Sequence, residues 1–321
     1  MHQQHAVKNT EPPVVAVVGG GKIGLAFAIV FASAGIAVRV FDVQSEQRQA
    51  LPARLSAILE DLHSFDLLEE APEAIAARVT VASELSEAVA DAGYVQECIP
   101  ESLSRKESLF SELDRLTPLD VVLASASSAM PVSEFASNLS GRQRCLVVHP
   151  GNPPFLLRVA EVVPATFTDA AVVVRARALL ATAGLSTVLV RKEIKGFVFN
   201  RLQGAVLREA YCLVRDDVVS VEDVDLLVRD GLGLRWSVVG PFESVDLNTT
   251  GGIGRHAELL GPAYVEMGAE RGQRDAWTPD LVAKVESQCR KRLPLSRWEQ
   301  RTRWRDRALM ALLTARRRLM S

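Results

Sequence analysis

A histidine and a glutamate in the middle of the chain have the chemistry of a general base and its partner. His149 ends the apolar run 145–148, and Glu161 lies 12 residues further on, inside the apolar run 159–163. A carboxylate in such a run is costly to bury unless it is paired. An imidazole titrates near neutral pH, and a neighbouring carboxylate would orient it and stabilise its protonated form. The pair therefore indicates removal of a proton from a hydroxyl group.

Hydroxyl and amide side chains that suit the same reaction follow other apolar runs. Ser128 comes after the buried run 121–124, so we expect its hydroxyl at the carboxyl edge of a sheet, where doubly wound folds bind ligands. Ser128 and Asn200 would bind the oxygen atom as an alcohol becomes a carbonyl. With His149 and Glu161 they predict oxidation of a secondary alcohol, which requires a hydride acceptor.

A glycine-rich turn near the start of the chain predicts the binding site of that acceptor. Three glycines spaced as G-x-G-x-x-G follow the apolar run 14–18 and open the amphipathic stretch 24–34. The predicted turn reads Gly19-Gly20-Gly21-Lys22-Ile23-Gly24. The first glycine would make the tight bend, the second would let the backbone approach a pyrophosphate, and the third would let helix and strand pack closely. The free N–H groups at the start of the helix would face the phosphates.

Asp42 determines which dinucleotide we expect. It ends a second strand, 38–41, and lies 18 residues after Gly24. A carboxylate at this position accepts hydrogen bonds from ribose hydroxyls and repels a 2′-phosphate. Val43 and Gln44 follow it, so no arginine adjoins it in sequence to receive that phosphate. The sequence therefore predicts NAD rather than NADP.

The elements that must position these residues alternate along the first part of the chain. Short β-branched runs and amphipathic stretches follow one another from residue 14 to about residue 192, whereas the remainder reads as all-helical. This pattern predicts a Rossmann-type α/β fold with a doubly wound, mostly parallel sheet, followed by an all-helical C-terminal domain. We expect a disordered tail over 1–13, an NAD-binding domain over 14–192 and a helical substrate and dimerisation domain over 193–321.

Composition narrows the class of protein. The 321 residues are 48% hydrophobic and 24% charged, as in soluble globular proteins, and the net charge of −2 gives no electrostatic reason to expect nucleic acid or a membrane surface as a partner. The N-terminus lacks the pattern of a signal peptide, and no run reaches the roughly 18 apolar residues of a membrane span. Four scattered cysteines show no metal-ligand spacing. We expect a cytoplasmic enzyme without a metal.

The chain resembles the 3-hydroxyacyl-CoA dehydrogenase family from residue 14 to about residue 312. Besides the glycine turn, the segments that carry the resemblance are Glu97-Cys98-Ile99-Pro100-Glu101, Ser127-Ser128, His149-Pro150-Gly151-Asn152-Pro153, 159–163 and Gly196-Phe197-Val198-Phe199-Asn200-Arg201. The resemblance implies that Ser128 binds the substrate oxygen, that His149 is the base and that Glu161 is its charge partner. Asn200 would be a second hydrogen-bond donor to the substrate.

Further residues and a partner also follow from the resemblance. Glu97 and Lys106 would meet the nicotinamide end of NAD, and we count Asn152 among the substrate contacts. The helical half would cover the active-site cleft and form a homodimer. Within the family, the chain is most similar to the branch of lambda-crystallin and L-gulonate 3-dehydrogenase, through 152–155, 230–237 and 301–306.

The substrate class is less narrowly defined by the sequence. Fatty-acid members of the family carry a lysine-rich insertion after the second strand, where the phosphates of coenzyme A lie. Here the span 43–105 contains no lysine and is acidic between Glu60 and Glu73, which would repel a phosphate unless these acids form an ordinary solvated face. A free carboxylate substrate needs its own counter-charge, for which Arg235 is the candidate.

Three interpretations therefore stay open. The first is an NAD-dependent dehydrogenase acting on the 3-hydroxyl of a small L-3-hydroxy acid of the L-gulonate type. The second is a dehydrogenase of an L-3-hydroxyacyl-CoA or of a carnitine-type substrate. The third belongs to another class, a crystallin-like structural protein that binds NAD(H) and catalyses little. The complete set of Ser128, His149, Glu161 and Asn200 argues against the third.

Overall fold

The chain folds into two compact units. The structure, a computed structural model, describes residues 13–250, 252–270, 278–292 and 294–320. One unit comprises Met1–Asn200 with Trp304–Ser321, and the other comprises Arg201–Arg303. The predicted disordered tail lies outside the described residues except for Pro13. The domain boundary placed after residue 192 stays a prediction.

Eight strands of the first unit form one sheet in the order β3-β2-β1-β4-β5-β6-β7-β8. The strands are β1 (Val14–Val18), β2 (Val38–Phe41), β3 (Val79–Val81), β4 (Ala92–Glu97), β5 (Val122–Ser125), β6 (Cys145–Pro150), β7 (Val159–Pro164) and β8 (Ser186–Leu189). Every neighbouring pair is parallel except β6 and β7, which are antiparallel. The predicted doubly wound, mostly parallel sheet is confirmed.

Helices connect the strands and then take over the chain. Those between strands are α1 (Lys22–Ser33), α2 (Ser45–Ser64), α3 (Pro72–Ala76), α4 (Leu85–Val89), α5 (Leu103–Leu116), α6 (Val132–Ala136) and α7 (Ala170–Thr182). Those after β8 are α8 (Phe199–Arg215), α9 (Val221–Leu227), α10 (Gly233–Trp236), α11 (Pro241–Asn248), α12 (Gly252–Glu270), α13 (Pro279–Arg292) and α14 (Trp298–Met320). A π-helical turn over 228–232 precedes α10. The prediction of a helical C-terminal part is confirmed.

Both faces of the sheet are covered because successive side chains of a strand point to opposite sides. In β1, Val15 and Val17 join the apolar cluster that includes α1 and α2, whereas Ala16 and Val18 join the cluster that includes α5 and α6. All four side chains are buried. A central parallel strand buried on both sides accounts for the uninterrupted apolar run in the sequence.

The last helix returns to the first unit. Met310 of α14 is 2% exposed and belongs to the apolar cluster of α1 and α2. The Thr314 hydroxyl donates a hydrogen bond of 2.7 Å to the carbonyl oxygen of Phe65, which follows α2. The end of α14 is therefore part of the core beneath the sheet. Within the described ranges, no helix is both long enough and apolar enough to cross a membrane.

Candidate active site

His149 and Glu161 face each other across the antiparallel pair of strands. The register of β6 and β7 places the two residues directly opposite each other. His149 Nδ1 lies 2.8 Å from Glu161 Oε2, and the two residues are 7% and 4% exposed. The reversal of chain direction at β7 thus brings the predicted base and its predicted charge partner together in a largely buried, hydrogen-bonded pair.

The second oxygen of Glu161 is held by the start of α8. The backbone N–H groups of Val198 and Phe199 donate to Glu161 Oε1 at 2.7 and 3.0 Å. The chain enters this helix through Gly196 and Phe197, whose φ angles of 77° and 48° lie in the left-handed region. Burial acts to raise the pKa of Glu161, but the hydrogen bonds from His149 and these two N–H groups outweigh it and lower the pKa. Glu161 therefore remains ionised at neutral pH.

Two aromatic rings flank the imidazole of His149. The Phe197 ring is fully buried with its centroid 5.8 Å from that of His149, and the Phe199 ring lies edge-on at 6.1 Å. Since ionised Glu161 can accept a hydrogen bond but not donate one, Nδ1 of a neutral His149 carries the proton. Nε2 is then the unprotonated nitrogen, and it makes no hydrogen bond to a described residue. The arrangement suits proton abstraction at Nε2.

Ser128 and Asn200 meet beside this pair. Ser128 is exposed in the loop after β5, and Asn200 Nδ2 donates a hydrogen bond of 2.6 Å to its carbonyl oxygen. One of the two amide hydrogens of Asn200 is thus used by the protein. The other hydrogen and the amide oxygen are left for a ligand. The substrate contacts predicted for both residues stay predictions.

Glu101 organises the same loop and is not among the residues predicted above. Its Oε1 accepts hydrogen bonds from Ser127 Oγ at 2.6 Å and from the N–H groups of Ala129 and Met130, both at 3.2 Å. Burial acts to raise its pKa, but these donors and the Lys106 charge together lower it. In the sequence, Glu101 can be told from Glu97 by its position: Glu97 is the last residue of β4, whereas Glu101 lies in the loop that follows the strand.

Glu97, the last residue of β4, and Lys106 in the first turn of α5 form a fully buried ion pair. Lys106 Nζ lies 2.8 Å from both carboxylate oxygens and 3.3 Å from Ser125 Oγ, and Glu97 also accepts the Ile99 N–H at 2.7 Å. Burial raises the pKa of Glu97 despite the opposing Lys106 ammonium. All three ammonium hydrogens have acceptors inside the protein. A contact of either residue with a cofactor stays a prediction.

The glycine turn has the shape that a dinucleotide requires. Gly19 has a φ of 106°, and a Cβ on Gly24 would lie 1.8 Å from the Gly19 carbonyl oxygen. A Cβ on Gly21 would meet nothing within 4 Å, so this side of the turn is open. Lys22 and Ile23 begin α1, whose N-terminus adjoins that opening. The turn therefore fits a pyrophosphate.

Asp42 lies against the same turn. Its Oδ2 accepts a hydrogen bond of 2.7 Å from the Gly20 N–H, and its Oδ1 accepts one of 2.9 Å from the Gln44 N–H. Both oxygens retain lone pairs for ribose hydroxyls. This geometry fits the adenosine ribose of NAD.

Asn152 and Arg235 lie in different units. Asn152 is exposed two residues beyond β6 in the first unit. Arg235 is exposed on α10 in the second unit, where it lines an open apolar cavity of about 530 Å³ with Leu227, Gly231 and Leu232. Their contacts with substrate stay predictions.

Two family models match the chain in succession. The model of the 3-hydroxyacyl-CoA dehydrogenase NAD binding domain matches residues 14–194, and the model of the 3-hydroxyacyl-CoA dehydrogenase C-terminal domain matches residues 196–288. Together they span most of the described residues. The match to the first model identifies NAD as the cofactor.

Curated and solved relatives resemble the chain over most of its length. A lambda-crystallin homolog from Bos taurus is 37% identical over 310 residues, covering 95% of this chain and 96% of the relative. An L-carnitine dehydrogenase from Streptomyces griseus is 38% identical over 246 residues, covering 77% and 72% of the two chains. The solved structure of an NAD⁺-dependent 5-dehydrogenase of 5-formyl-3-hydroxy-2-methylpyridine 4-carboxylic acid superposes with a TM-score of 0.81 at 26% identity. The superposition covers 94% of this chain and 97% of the other.

Proposed function

This chain belongs to the 3-hydroxyacyl-CoA dehydrogenase family of NAD-dependent oxidoreductases, and we propose that it oxidises the 3-hydroxyl group of a small L-3-hydroxy acid of the L-gulonate type. The observation that carries the proposal is the buried contact of 2.8 Å between His149 Nδ1 and Glu161 Oε2. The carboxylate fixes the orientation of the imidazole and keeps its proton on Nδ1, which leaves Nε2 as the proton acceptor. A histidine oriented in this way is typical of a general base.

The residues of the chain divide the work of the reaction. His149 removes the hydroxyl proton at Nε2, while Glu161 accepts the hydrogen bond from Nδ1–H and stabilises the imidazolium. NAD, when bound, supplies the acceptor for the hydride that leaves the substrate carbon. The Ser128 hydroxyl and the remaining amide hydrogen of Asn200 hold the substrate oxygen as it becomes a carbonyl. Glu101 keeps the Ser128 loop in place.

The segment after β2 favours a free acid over a coenzyme A ester. It contains no lysine over 43–105 to bind the phosphates of coenzyme A. Its acids are partly used by the protein, since Glu70 pairs with Arg78 at 2.5 Å and Asp61 lies 3.9 Å from Arg307 of α14. Helix α14 also covers Phe65 in this segment. A surface that is acidic and partly covered is a poor binding site for a polyphosphate.

A free acid needs a cation for its carboxylate, and Arg235 is our candidate. Arginine binds carboxylates with two parallel hydrogen bonds, which would fix the orientation of a short substrate. Replacing Arg235 by Met should raise the KM for the acid and leave the Kd for NADH unchanged. An unchanged KM would remove Arg235 from the proposed site.

A homodimer is the partner we propose. The second unit exposes large apolar side chains, among them Val238 at 78% in the turn after α10, Phe242 of α11 at 77% and Val265 of α12 at 73%. Large apolar side chains exposed to this extent are typical of surfaces that a second subunit covers. Light scattering after size exclusion would test the proposal. A monomer at micromolar concentration would contradict it.

A substrate screen tests the proposed activity. NADH affinity is first measured by titrating the purified protein with NADH. In a separate assay with added NAD⁺, NADH production is measured with L-gulonate, L-3-hydroxybutyrate, L-carnitine or 3-hydroxybutyryl-CoA as substrate. His149→Gln should keep its NADH affinity and lose turnover by about a hundred-fold or more, the scale of general-base catalysis. Turnover of the coenzyme A ester or carnitine alone would reassign the substrate. NADH binding without turnover of any compound would favour the crystallin-like class.

A further inference from the structure

We propose that Arg48 and Arg54 form a latent site for a ribose 2′-phosphate, which the Asp42 carboxylate keeps closed to NADP. The inference rests on the proposed cofactor site, with Asp42 at the adenosine ribose. Neither arginine adjoins Asp42 in sequence, since both belong to α2, but the fold returns both to the glycine turn. They would therefore act as specificity-determining residues for the dinucleotide.

Arg48 is fixed against the end of β2. Its Nη1 donates to the Asp42 carbonyl oxygen at 2.6 Å and to the Val43 carbonyl oxygen at 3.3 Å. Its guanidinium lies over the Phe41 ring, 5.9 Å from the centroid, and the side chain is half-buried. A planar cation stacked on a ring and bound to the backbone is held in one orientation. It is held beside the backbone of Asp42.

Arg54, six residues further along α2, contacts the glycine turn. Its Nη1 donates to the Gly20 carbonyl oxygen at 3.2 Å and to Gln47 Oε1 at 2.9 Å. The N–H of Gly20 donates to Asp42 Oδ2 at 2.7 Å. Gly20 thus links the two side chains: its carbonyl oxygen accepts from Arg54, and its N–H group donates to the Asp42 carboxylate. Both arginines consequently contact residues that surround that carboxylate.

The charges of Arg48, Arg54 and the Asp42 carboxylate are not neutralised by direct ion pairs among the described residues. Within the ranges the structure describes, neither Arg48 nor Arg54 forms an ion pair with a carboxylate. The oxygens of Asp42 are bound by the N–H groups of Gly20 and Gln44 and not by a guanidinium. The hydrogen bonds of both arginines use Nη1, which leaves Nη2 and Nε for a ligand.

Two half-buried guanidiniums with free donors beside a ribose site match the chemistry of a phosphate monoester. Arginine binds such a group through parallel, charge-assisted hydrogen bonds. The Asp42 carboxylate opposes this binding because it repels the phosphate and takes the ribose hydroxyl that the phosphate would replace. Removing that one negative charge should therefore be enough to admit NADP.

The experiment compares cofactor binding rather than turnover. The Kd values for NADH and NADPH are measured by calorimetry for the wild-type chain, for Asp42→Ser and for Asp42→Ser combined with Arg48→Met and Arg54→Met. Asp42→Ser should raise the Kd for NADH and lower the Kd for NADPH by about ten-fold each, which corresponds to roughly one charge-assisted hydrogen bond. The two arginine substitutions should then reverse the gain in NADPH affinity. Arg175→Met, an exposed position on α7, is the matched control and should change neither value.

The outcomes separate this inference from the cofactor site on which it rests. If Asp42→Ser leaves the Kd for NADH unchanged, the proposed placement of the ribose is wrong. If NADH weakens but NADPH does not tighten, or if the triple variant binds NADPH as tightly as Asp42→Ser, the latent site alone is refuted. Asp42→Asn, which keeps an oxygen for the Gly20 N–H, serves if Asp42→Ser fails to fold, and the same comparisons apply.

Discussion

Asn200 donates a hydrogen bond of 2.6 Å from Nδ2 to the carbonyl oxygen of Ser128, which joins the first turn of α8 to the loop after β5. The N–H group of Phe199, one residue earlier in the chain, donates to Glu161. A single helical turn therefore holds both Glu161 of the proposed catalytic pair and the loop expected to bind the substrate oxygen. Damage to this turn should affect catalysis before it affects cofactor binding.

Substitution of Asn200 should reveal that coupling. Asn200→Ala removes the bond to the Ser128 carbonyl and lets the loop move, and a displacement of about 1 Å at a reacting group costs on the order of a hundred-fold in rate. Asn200→Asp should be worse, because a carboxylate would face the carbonyl oxygen. Steady-state kinetics with NADH titration tests this. Equal losses in kcat and in NADH affinity would contradict it.

Glu161→Gln should lower kcat by about a hundred-fold or more, because the imidazolium loses its charge partner. It should also change how stability depends on pH. The pKa of Glu161 is lowered in the folded protein from its ordinary value of 4.5, so its ionised form stabilises the fold above that pH. The difference in unfolding free energy between wild type and Glu161→Gln should shrink as the pH falls below 4.5. Denaturant titration at several pH values measures it, and a difference that grows in acid would contradict the prediction.

The buried pair of Glu97 and Lys106 should behave as a unit. Lys106→Met leaves a fully buried carboxylate without its cation and should cost about 3 kcal/mol of unfolding free energy. Combining it with Glu97→Gln removes the stranded charge, so the double variant should be more stable than Lys106→Met alone. Urea titration of Lys106→Met, Glu97→Gln and the double variant, compared with wild type, gives the coupling free energy between the two side chains. Strictly additive losses would show that the two groups do not interact.

Two glycines of the same turn should respond differently to a methyl group. Gly24→Ala would drive its Cβ into the Gly19 carbonyl oxygen and should cost about 1–3 kcal/mol of stability. Gly21→Ala would project into open space and should leave Tm unchanged while weakening NADH, whose pyrophosphate needs that space. Thermal unfolding and NADH titration separate the two effects. An unaltered NADH affinity in Gly21→Ala would place the pyrophosphate elsewhere.

The return of α14 to the first unit predicts that its buried face stabilises the sheet domain. Met310→Ala should lower the unfolding free energy by about 2–4 kcal/mol, the cost of truncating a buried side chain. Leu312 on the same helix is 64% exposed, so Leu312→Ala should change it by less than about 0.5 kcal/mol. If both variants lost the same stability, α14 would not pack as the structure has it.

Much of the fold was accessible from local patterns. The apolar run of β1, the glycines and Asp42 each follow from requirements of one strand or one turn, and the structure places the glycines and Asp42 together at the carboxyl ends of β1 and β2. His149 and Glu161 could be paired in the same way, since a carboxylate in an apolar strand requires a partner. Local chemistry of this kind is readable because it does not depend on distant packing.

Other features depend on which part of the protein a helix packs against, and the spacing of residues along the sequence does not reveal this. Arg48 and Arg54 are ordinary polar positions of α2 until the helix is folded against Gly20. The last helix, α14, is rich in arginine, which is typical of a solvated surface, yet its Met310 is buried in the core of the first unit. Glu101 could be distinguished from Glu97 by its position beyond the strand, whereas its contacts with Ser127 and the following N–H groups required the loop to be built.

The antiparallel pairing of β6 and β7 has a consequence for the candidate active site. His149 and Glu161 lie directly opposite each other in this pairing, so their alignment is fixed by the register of the two strands. A slip of one residue in this pairing would turn Glu161 to the opposite face of the sheet and separate it from His149. The apolar residues that flank Glu161 in β7 would lose their places in the core in the same slip, so the packing that stabilises the sheet also keeps the two side chains aligned.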